Sequence, residues 1–221
     1  MVNKEAYFEL IDEVKSSGAQ LVAVSKTKPA EDIETLLRLS QLDFGENKVQ
    51  EMTTKKSLLP ESIRWHQIGH LQTNKVKMIV PFVHLIHSVD SVKLLREIEK
   101  EGKKINRKVN CLLQVHVAQE ETKFGLSSEE ILDFFKNGTH EEFSFVNFCG
   151  IMTMASLTED EAQIHREFAS VKKIFDQIRN AFFPNDHFFK VLSMGMTSDY
   201  RIAMQEGSNM VRIGSKIFGS R

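Results

Sequence analysis

Short apolar runs rich in Val, Ile, Leu and Phe alternate with longer amphipathic stretches along nearly the whole chain, and this pattern predicts a βα repeat. After a leading helix over residues 3–17, strand-type runs fall at 21–24, 42–44, 64–68, 83–88, 110–117, 143–152, 189–193 and 210–213. Helical spacing or helix-forming composition occupies 31–40, 48–58, 73–80, 92–103, 129–137, 159–181 and 198–206, with Ser128 and Thr158 placed to cap two of these helices. Residues 216–221 have room only for a final turn. Eight strands alternating with helices in 221 residues predict an α/β fold closed into a (β/α)₈ barrel, because repeated right-handed βα units either close or build an open sheet. The alternative, an open doubly wound sheet, gains nothing from the nucleotide fingerprints: there is no G-x-G-x-x-G after the first strand and no Walker sequence. No Pro/Gly/Ser-rich linker, low-complexity tract or repeat marks a boundary, so one domain over 1–221 with an extra N-terminal helix is expected.

In such a barrel the chemistry sits at the C-terminal ends of the strands. Lys26 follows the first strand, Gly45-Glu46-Asn47 the second, Gly69-His70 the third and Ser88 the fourth; Met152 lies near the end of the sixth. The segment from Ser193 to Ser198 follows the seventh strand, and Arg212-Ile213-Gly214-Ser215 closes the eighth. Lys26 ends the apolar run Leu21-Val22-Ala23-Val24-Ser25-Lys26, where desolvation disfavours the ammonium and makes a neutral, carbonyl-attacking amine more accessible. On this hexapeptide alone a lysine snorkelling at a strand end is the simpler reading. The rest of the chain reverses that preference.

Ser193-Met194-Gly195-Met196-Thr197-Ser198-Asp199 combines a glycine with hydroxyls before a helix start, the makings of an anion cradle, and Gly214-Ser215 adds a second glycine turn. Either loop alone reads equally well as a turn and a helix cap. Together they occupy the place where barrel enzymes bind phosphate, after strands seven and eight. Arg212 lies at the end of the eighth strand, where a permanently charged guanidinium needs an anion or acceptor. An imine-forming lysine, a phosphate cradle and an arginine between them describe a site for pyridoxal 5'-phosphate (PLP), with Arg212 directed at the pyridine nitrogen.

Composition narrows the classes. Charged residues make up 27% and hydrophobic residues 41% of the chain, and the net charge of -1 gives no electrostatic reason to expect nucleic acid or membrane partners. Cys111 and Cys149 lie in apolar strand-like stretches and read as buried free thiols, and the polar N-terminus carries no signal-type segment. A cytoplasmic protein is expected.

The ordered blocks Ala23-Val24-Ser25-Lys26, Phe44-Gly45-Glu46-Asn47 with Val49-Gln50-Glu51, the run from Trp65 to Lys75, and His87-Ser88-Val89-Asp90-Ser91 resemble the YggS/PROSC family of pyridoxal phosphate homeostasis proteins. So do Lys123-Phe124-Gly125, Gly150-Ile151-Met152-Thr153, the run from Leu192 to Asp199 and the run from Val211 to Gly219. The resemblance covers nearly the whole chain. It implies an alanine-racemase-like, fold-type III barrel without that enzyme's second β-domain. Lys26 would be the Schiff-base lysine, with Asn47 and His70 near the cofactor. Met194, Thr197, Ser198, Gly214 and Ser215 would surround the phosphate, and Arg212 would meet the ring nitrogen. The family usually has serine at Thr197 and asparagine at His116; threonine keeps the hydroxyl, whereas an imidazole is larger and titrates near neutrality.

An arginine at the pyridine nitrogen disfavours its protonation and weakens the ring as an electron sink. A racemase of this cofactor class also needs a second acid/base, which in the alanine racemases is a tyrosine of the missing domain. The chain stops at Arg221, and its tyrosines, Tyr7 and Tyr200, sit on the leading helix and on the helix after the phosphate loop. A non-catalytic, monomeric PLP carrier is therefore expected, with apo PLP-dependent enzymes as recipients. An amino-acid racemase and a cofactor-free Schiff-base aldolase are the competing readings. Three other signals carry less. His66 and His70 have zinc-like H-x₃-H spacing, but a strand and turn separate them. Phe134, Phe135, Phe143, Phe145 and Phe148 read as core, and Lys75 as a surface lysine at a helix start.

Overall fold

Eight parallel strands hydrogen-bond in chain order, and the last pairs with the first to close a barrel. They are β1 (Gln20–Val24), β2 (Asp43–Glu46), β3 (Arg64–Gln67), β4 (Leu85–Val89), β5 (Val109–Gln114), β6 (Val146–Met152), β7 (Val191–Ser193) and β8 (Met210–Ile213). In this computed structural model residues 2–117, 124–185 and 187–219 are described; Lys123 and Arg221 lie outside them. Closure is made by the register Leu21 to Val211 and Val22 to Arg212. The surrounding helices are α1 (Lys4–Ser16), α2 (Ala30–Leu37), α3 (Val49–Leu58), α4 (Val76–Ile79), α5 (Val92–Lys104), α6 (Ser128–Lys136), α7 (Glu161–Phe182), α8 (Tyr200–Gln205) and α9 (Ser215–Phe218). None of the described helices is long and apolar enough to cross a membrane.

The predicted barrel is present, and the differences lie at element ends. Residues 73–80 form a 3-10 turn (Thr73–Lys75) followed by α4. The sixth strand starts at Val146 because the backbone N–H groups of Ser144 and Phe145 donate to the Glu99 carboxylate, at 3.1 and 2.7 Å. The α6 cap is Ser127, one residue before the expected Ser128. The Ser127 hydroxyl accepts from the Glu130 N–H and the Glu130 carboxylate accepts from the Ser127 N–H, a reciprocal box that Ser128 has no partner to make. Asp160 caps α7, while Thr158 accepts the Asp160 N–H and shapes the turn before it.

Period-two alternation separates two apolar layers. Val211 and Ile213 face the helices in the larger core, whereas Met210 joins Val22, Leu85, Leu112, Cys149 and Met152 in a smaller cluster. Phe134, Phe135, Phe143 and Phe148 are buried as expected, with Phe145 half-buried. Phe135 makes ring contacts with Phe134, Phe148, Phe182, Phe183 and Phe189 at 5.2–6.1 Å. Cys111 and Cys149 are buried, and burial pushes the Cys111 thiol well above its ordinary pKa.

Candidate functional site

A cavity of about 460 Å³ opens at the C-terminal end of the strands, bordered by Lys26, Asn47, His70, Thr197, Arg212, Gly214 and Ser215. Ser198 borders an adjoining cavity of about 670 Å³, and Gln114, Phe124, Met154 and Met196 line both. Met194 borders neither; its side chain is buried in the outer core, and its N–H is taken by Met210 O and Ser208 Oγ at 3.2 and 3.3 Å.

Lys26 stands one residue beyond Ser25, and the backbone on either side of it is clamped. The Lys55 ammonium donates to Ser25 O (2.8 Å), Glu46 Oε1 (2.8 Å) and Glu51 Oε1 (2.7 Å). Glu51 Oε1 also accepts the Thr27 N–H at 2.6 Å, and the Ser25 hydroxyl donates to Glu46 Oε1 at 2.6 Å. Thr27 adopts φ +66°, a left-handed conformation that costs a β-branched residue roughly 1–3 kcal/mol. The clamp holds that turn and so sets where the Lys26 side chain enters the cavity. Burial raises the Glu46 carboxyl above its ordinary pKa, and the nearby Lys55 ammonium only partly opposes this. The sequence placed Glu46 in the strand-end segment Gly45-Glu46-Asn47 without a role and did not single out Lys55; the signal available was the i,i+4 pair Glu51 and Lys55 on α3, directly after the motif carrying Asn47.

At the opposite wall, Ser215 Oγ donates to Thr197 Oγ1 at 3.0 Å, so the two glycine loops meet through their hydroxyls. A Cβ on Gly214 would lie 2.8 Å from Val24 O, which is why the eighth strand can pass this close to the first. Gly195 takes φ +93°, and a Cβ there would strike the Tyr200 Cα at 2.9 Å. The helix expected from residue 198 begins at Tyr200; Asp199 precedes it, is buried, and accepts the Met196 N–H at 2.5 Å.

Arg212 is buried between these walls. One terminal nitrogen donates to Ser193 Oγ (2.6 Å) and Ser193 O (2.9 Å), the other to Thr153 O (2.9 Å). Burial lowers its pKa to about 10, with Asp199 opposing the shift, so it remains a cation at neutral pH. All three of these acceptors are neutral, and the guanidinium also borders the cavity. It can therefore serve a ligand acceptor there.

The rim is ordered by the third and fourth strands. Gly69 O accepts from Ser88 Oγ at 2.6 Å and from Gln67 Nε2 at 2.9 Å, which fixes the loop carrying His70. His70 Nδ1 lies 2.8 Å from Asp90 Oδ2, and its ring packs 4.4 Å from Phe124. Nε2 of His116, at the position where the family resemblance implies asparagine, is buried without a partner among the described residues; this ring borders the adjoining cavity rather than the main one. Lys75 is half-buried and donates to Gln50 Oε1 at 3.4 Å. Tyr7 OH donates to Gln41 and Tyr200 OH to Glu13, and neither tyrosine borders the two cavities. His66 lies inside the barrel with both ring nitrogens engaged, apart from His70 at the rim.

An amine, a buried cation and a pair of hydroxyl-bearing glycine loops on one cavity fit a ligand that carries a carbonyl, an acceptor ring nitrogen and a phosphate. The family profile for the alanine racemase N-terminal domain matches residues 5–221. A pyridoxal phosphate homeostasis protein of Helicobacter pylori is 40% identical over 201 residues, covering 90% of this chain and 86% of that one. Its counterpart in Aquifex aeolicus is 36% identical, covering 92% and 87%. PipY of Synechococcus elongatus, solved without PLP, superposes with TM-score 0.89 at 30% identity over 97% of this chain and 99% of its own; the PLP-bound form gives 0.83 at 29% over 96% and 99%. The alanine racemase of Clostridium difficile shares the fold, with TM-score 0.74 at 13% identity, and this chain spans 57% of it. The chain belongs to the alanine racemase N-terminal domain family and, within it, to the pyridoxal phosphate homeostasis proteins.

Proposed function

We propose that this protein binds PLP reversibly through Lys26 and takes part in intracellular PLP homeostasis without catalytic turnover. The observation that carries the reading is the convergence of Lys26, Arg212 and the Thr197–Ser215 hydroxyl pair on one cavity of about 460 Å³. When bound, PLP supplies an aldehyde that condenses with an amine, forming a C=N bond and releasing water. The Lys26 amine is the nucleophile. Thr197, Ser198, Gly214 and Ser215 hold the phosphate, Arg212 donates to the ring nitrogen, and Asn47 and His70 face the cofactor. Met194 supports the phosphate loop from the core side.

The non-catalytic assignment rests on the absence of a second acid/base among the described tyrosines at the cavity: both hydroxyls are engaged elsewhere. The whole chain, 1–221, acts as one monomeric barrel domain in the cytoplasm. Apo PLP-dependent enzymes are its recipients, and neither nucleic acid nor membrane is a partner.

The test is the absorption spectrum of PLP-loaded protein before and after borohydride, beside Lys26→Ala, together with a racemisation assay on L-amino acids. A visible band that borohydride removes and the variant lacks supports the reading. A wild type that stays colourless with added PLP overturns it, and turnover abolished by Lys26→Ala favours the racemase alternative.

A further inference from the structure

Beneath the cavity the barrel interior contains a continuous line of buried polar side chains drawn from five strands. Arg212 donates to Ser193 Oγ at 2.6 Å, and Ser193 Oγ lies 3.1 Å from His87 Nδ1. His87 Nε2 lies 2.9 Å from His66 Nδ1, and His66 Nε2 lies 2.9 Å from Asp43 Oδ1. At the far end Arg64 donates to both oxygens of Asp43, at 2.8 and 2.5 Å. All members from Arg212 to Asp43 are buried, so an unpaired polar atom in the line carries a desolvation cost.

With both imidazoles neutral, the two ends dictate the direction of every link. A guanidinium only donates and a carboxylate only accepts. Burial alone would raise the Asp43 carboxyl, but hydrogen bonds from His66 and Arg64 outweigh it and hold the pKa at about 2, so Asp43 is an acceptor at any physiological pH. His66 must then carry its proton on Nε2 and accept at Nδ1; His87 must donate from Nε2 and accept at Nδ1; Ser193 must turn its hydroxyl toward His87 and accept from Arg212. Burial, reinforced by the Arg212 guanidinium, pushes His87 well below its ordinary pKa, in keeping with a neutral ring. The other charged or titratable groups near the line are Arg64 and His84 at the far end and Asp199 beside Arg212. Asp43, His66 and His84 also gather within 4.8 Å, but a guanidinium touching both carboxylate oxygens opposes a cation there and makes the cluster an anchor.

We propose that Asp43, His66, His87 and Ser193 form a one-way hydrogen-bond relay that positions Arg212 as a donor toward the ring nitrogen of bound PLP, which makes all four positioning residues for the cofactor. This rests on the PLP reading above. The relay has no member able to pass a proton toward the mouth without reversing every link, so Arg212 faces the cavity as a fixed donor. Its guanidinium is held by Ser193 and Thr153 on one side and borders the cavity.

Two measurements test the relay. In apoprotein labelled with 15N-histidine, long-range 1H–15N correlation at neutral pH should show His66 and His87 as neutral Nε2–H tautomers, assigned by single substitutions. An imidazolium pattern or an Nδ1–H tautomer at either ring overturns the relay. The second compares the affinity of PLP with that of its 1-deaza analogue, which keeps the aldehyde and phosphate but has CH at the ring nitrogen. Ser193→Ala should weaken PLP by about fivefold to tenfold and leave the analogue within about twofold, with Ser193→Thr restoring PLP affinity. Equal weakening of both ligands, or of neither, overturns the proposal, because a merely structural role does not discriminate the nitrogen. Wild type binding both ligands equally overturns the relay while leaving PLP binding intact; wild type binding neither overturns the PLP reading itself, and the inference with it.

Discussion

Replacing Lys55 with methionine tests whether the clamp beneath Lys26 is the costly buried ion network that its geometry describes. Glu46 is fully buried and the Lys55 side chain is 7% exposed, so removing the ammonium leaves the carboxylate with the Ser25 hydroxyl alone; Glu46 Oε2 already has no partner among the described residues. Stranding one partner of a buried pair costs about 3–5 kcal/mol. Glu51, at 22% exposure, rehydrates and adds little. With a urea m value of about 3 kcal/mol per M, the unfolding midpoint should fall by about 1–1.7 M. The pH dependence has a definite sign. Glu46 has a folded-state pKa above its unfolded value, so its contribution to stability is fully present below the unfolded pKa and is lost as pH rises through the folded one. Losing Lys55 raises that folded pKa further, so the deficit of Lys55→Met against wild type should be largest near neutrality and shrink in mild acid. Adding Glu46→Gln to Lys55→Met should recover much of the loss, since the stranded charge is gone. A midpoint shift below about 0.3 M at neutral pH, or a deficit that grows on acidification, would refute the reasoning.

Two further outcomes are expected. Gly214→Ala places a Cβ 2.8 Å from Val24 O and forces the eighth strand away from the first; about 1–3 kcal/mol of stability should be lost, with weaker PLP binding by spectral titration, although φ at this position suits alanine. Asp43, held at about 2 in the folded state, supports stability above the unfolded carboxylate range and loses it as pH falls toward 2. Urea unfolding between pH 6 and pH 2 should show about 2 kcal/mol of acid sensitivity that Asp43→Asn lacks.

The barrel was legible because its signal is periodic. Eight apolar runs and the helices between them carry local spacing, and each strand predicted from that spacing is present. Strand ends were less legible, because ladder pairing competes with side chains that approach from elsewhere. Glu99, far away in sequence, takes the N–H groups that would have extended the sixth strand to residue 143. The α6 cap was legible in principle, since Ser127 with Glu130 completes a capping box that Ser128 lacks. Lys26, Arg212 and the glycine loops could be found because barrel topology collects strand ends at one mouth. Their support could not. Period-two alternation places His66 and His87 on strands, but which nitrogen meets which partner depends on inter-strand register and barrel shear, quantities the sequence does not carry locally.

The two walls of the cavity are built by different physics, and this separates what each contributes. Lys26 is set from outside the barrel, by an ion network between the strands and α3 that fixes a strained turn at Thr27. Arg212 is set from inside, by neutral acceptors and a line of imidazoles ending on a carboxylate clamped by Arg64. The networks share no residue, so damage to one leaves the other group in place. A fault in the clamp should disturb the amine while Arg212 still faces the cavity, and a fault in the relay should disturb recognition of a ring nitrogen while the amine still reacts. An aldehyde that carries a phosphate but no ring nitrogen therefore reports on the Lys26 wall alone, and its difference from PLP reports on the Arg212 wall. Should Lys55→Met and Ser193→Ala prove additive in PLP affinity, the walls are independent; a coupling much above about 0.5 kcal/mol would mean that the barrel transmits strain between them.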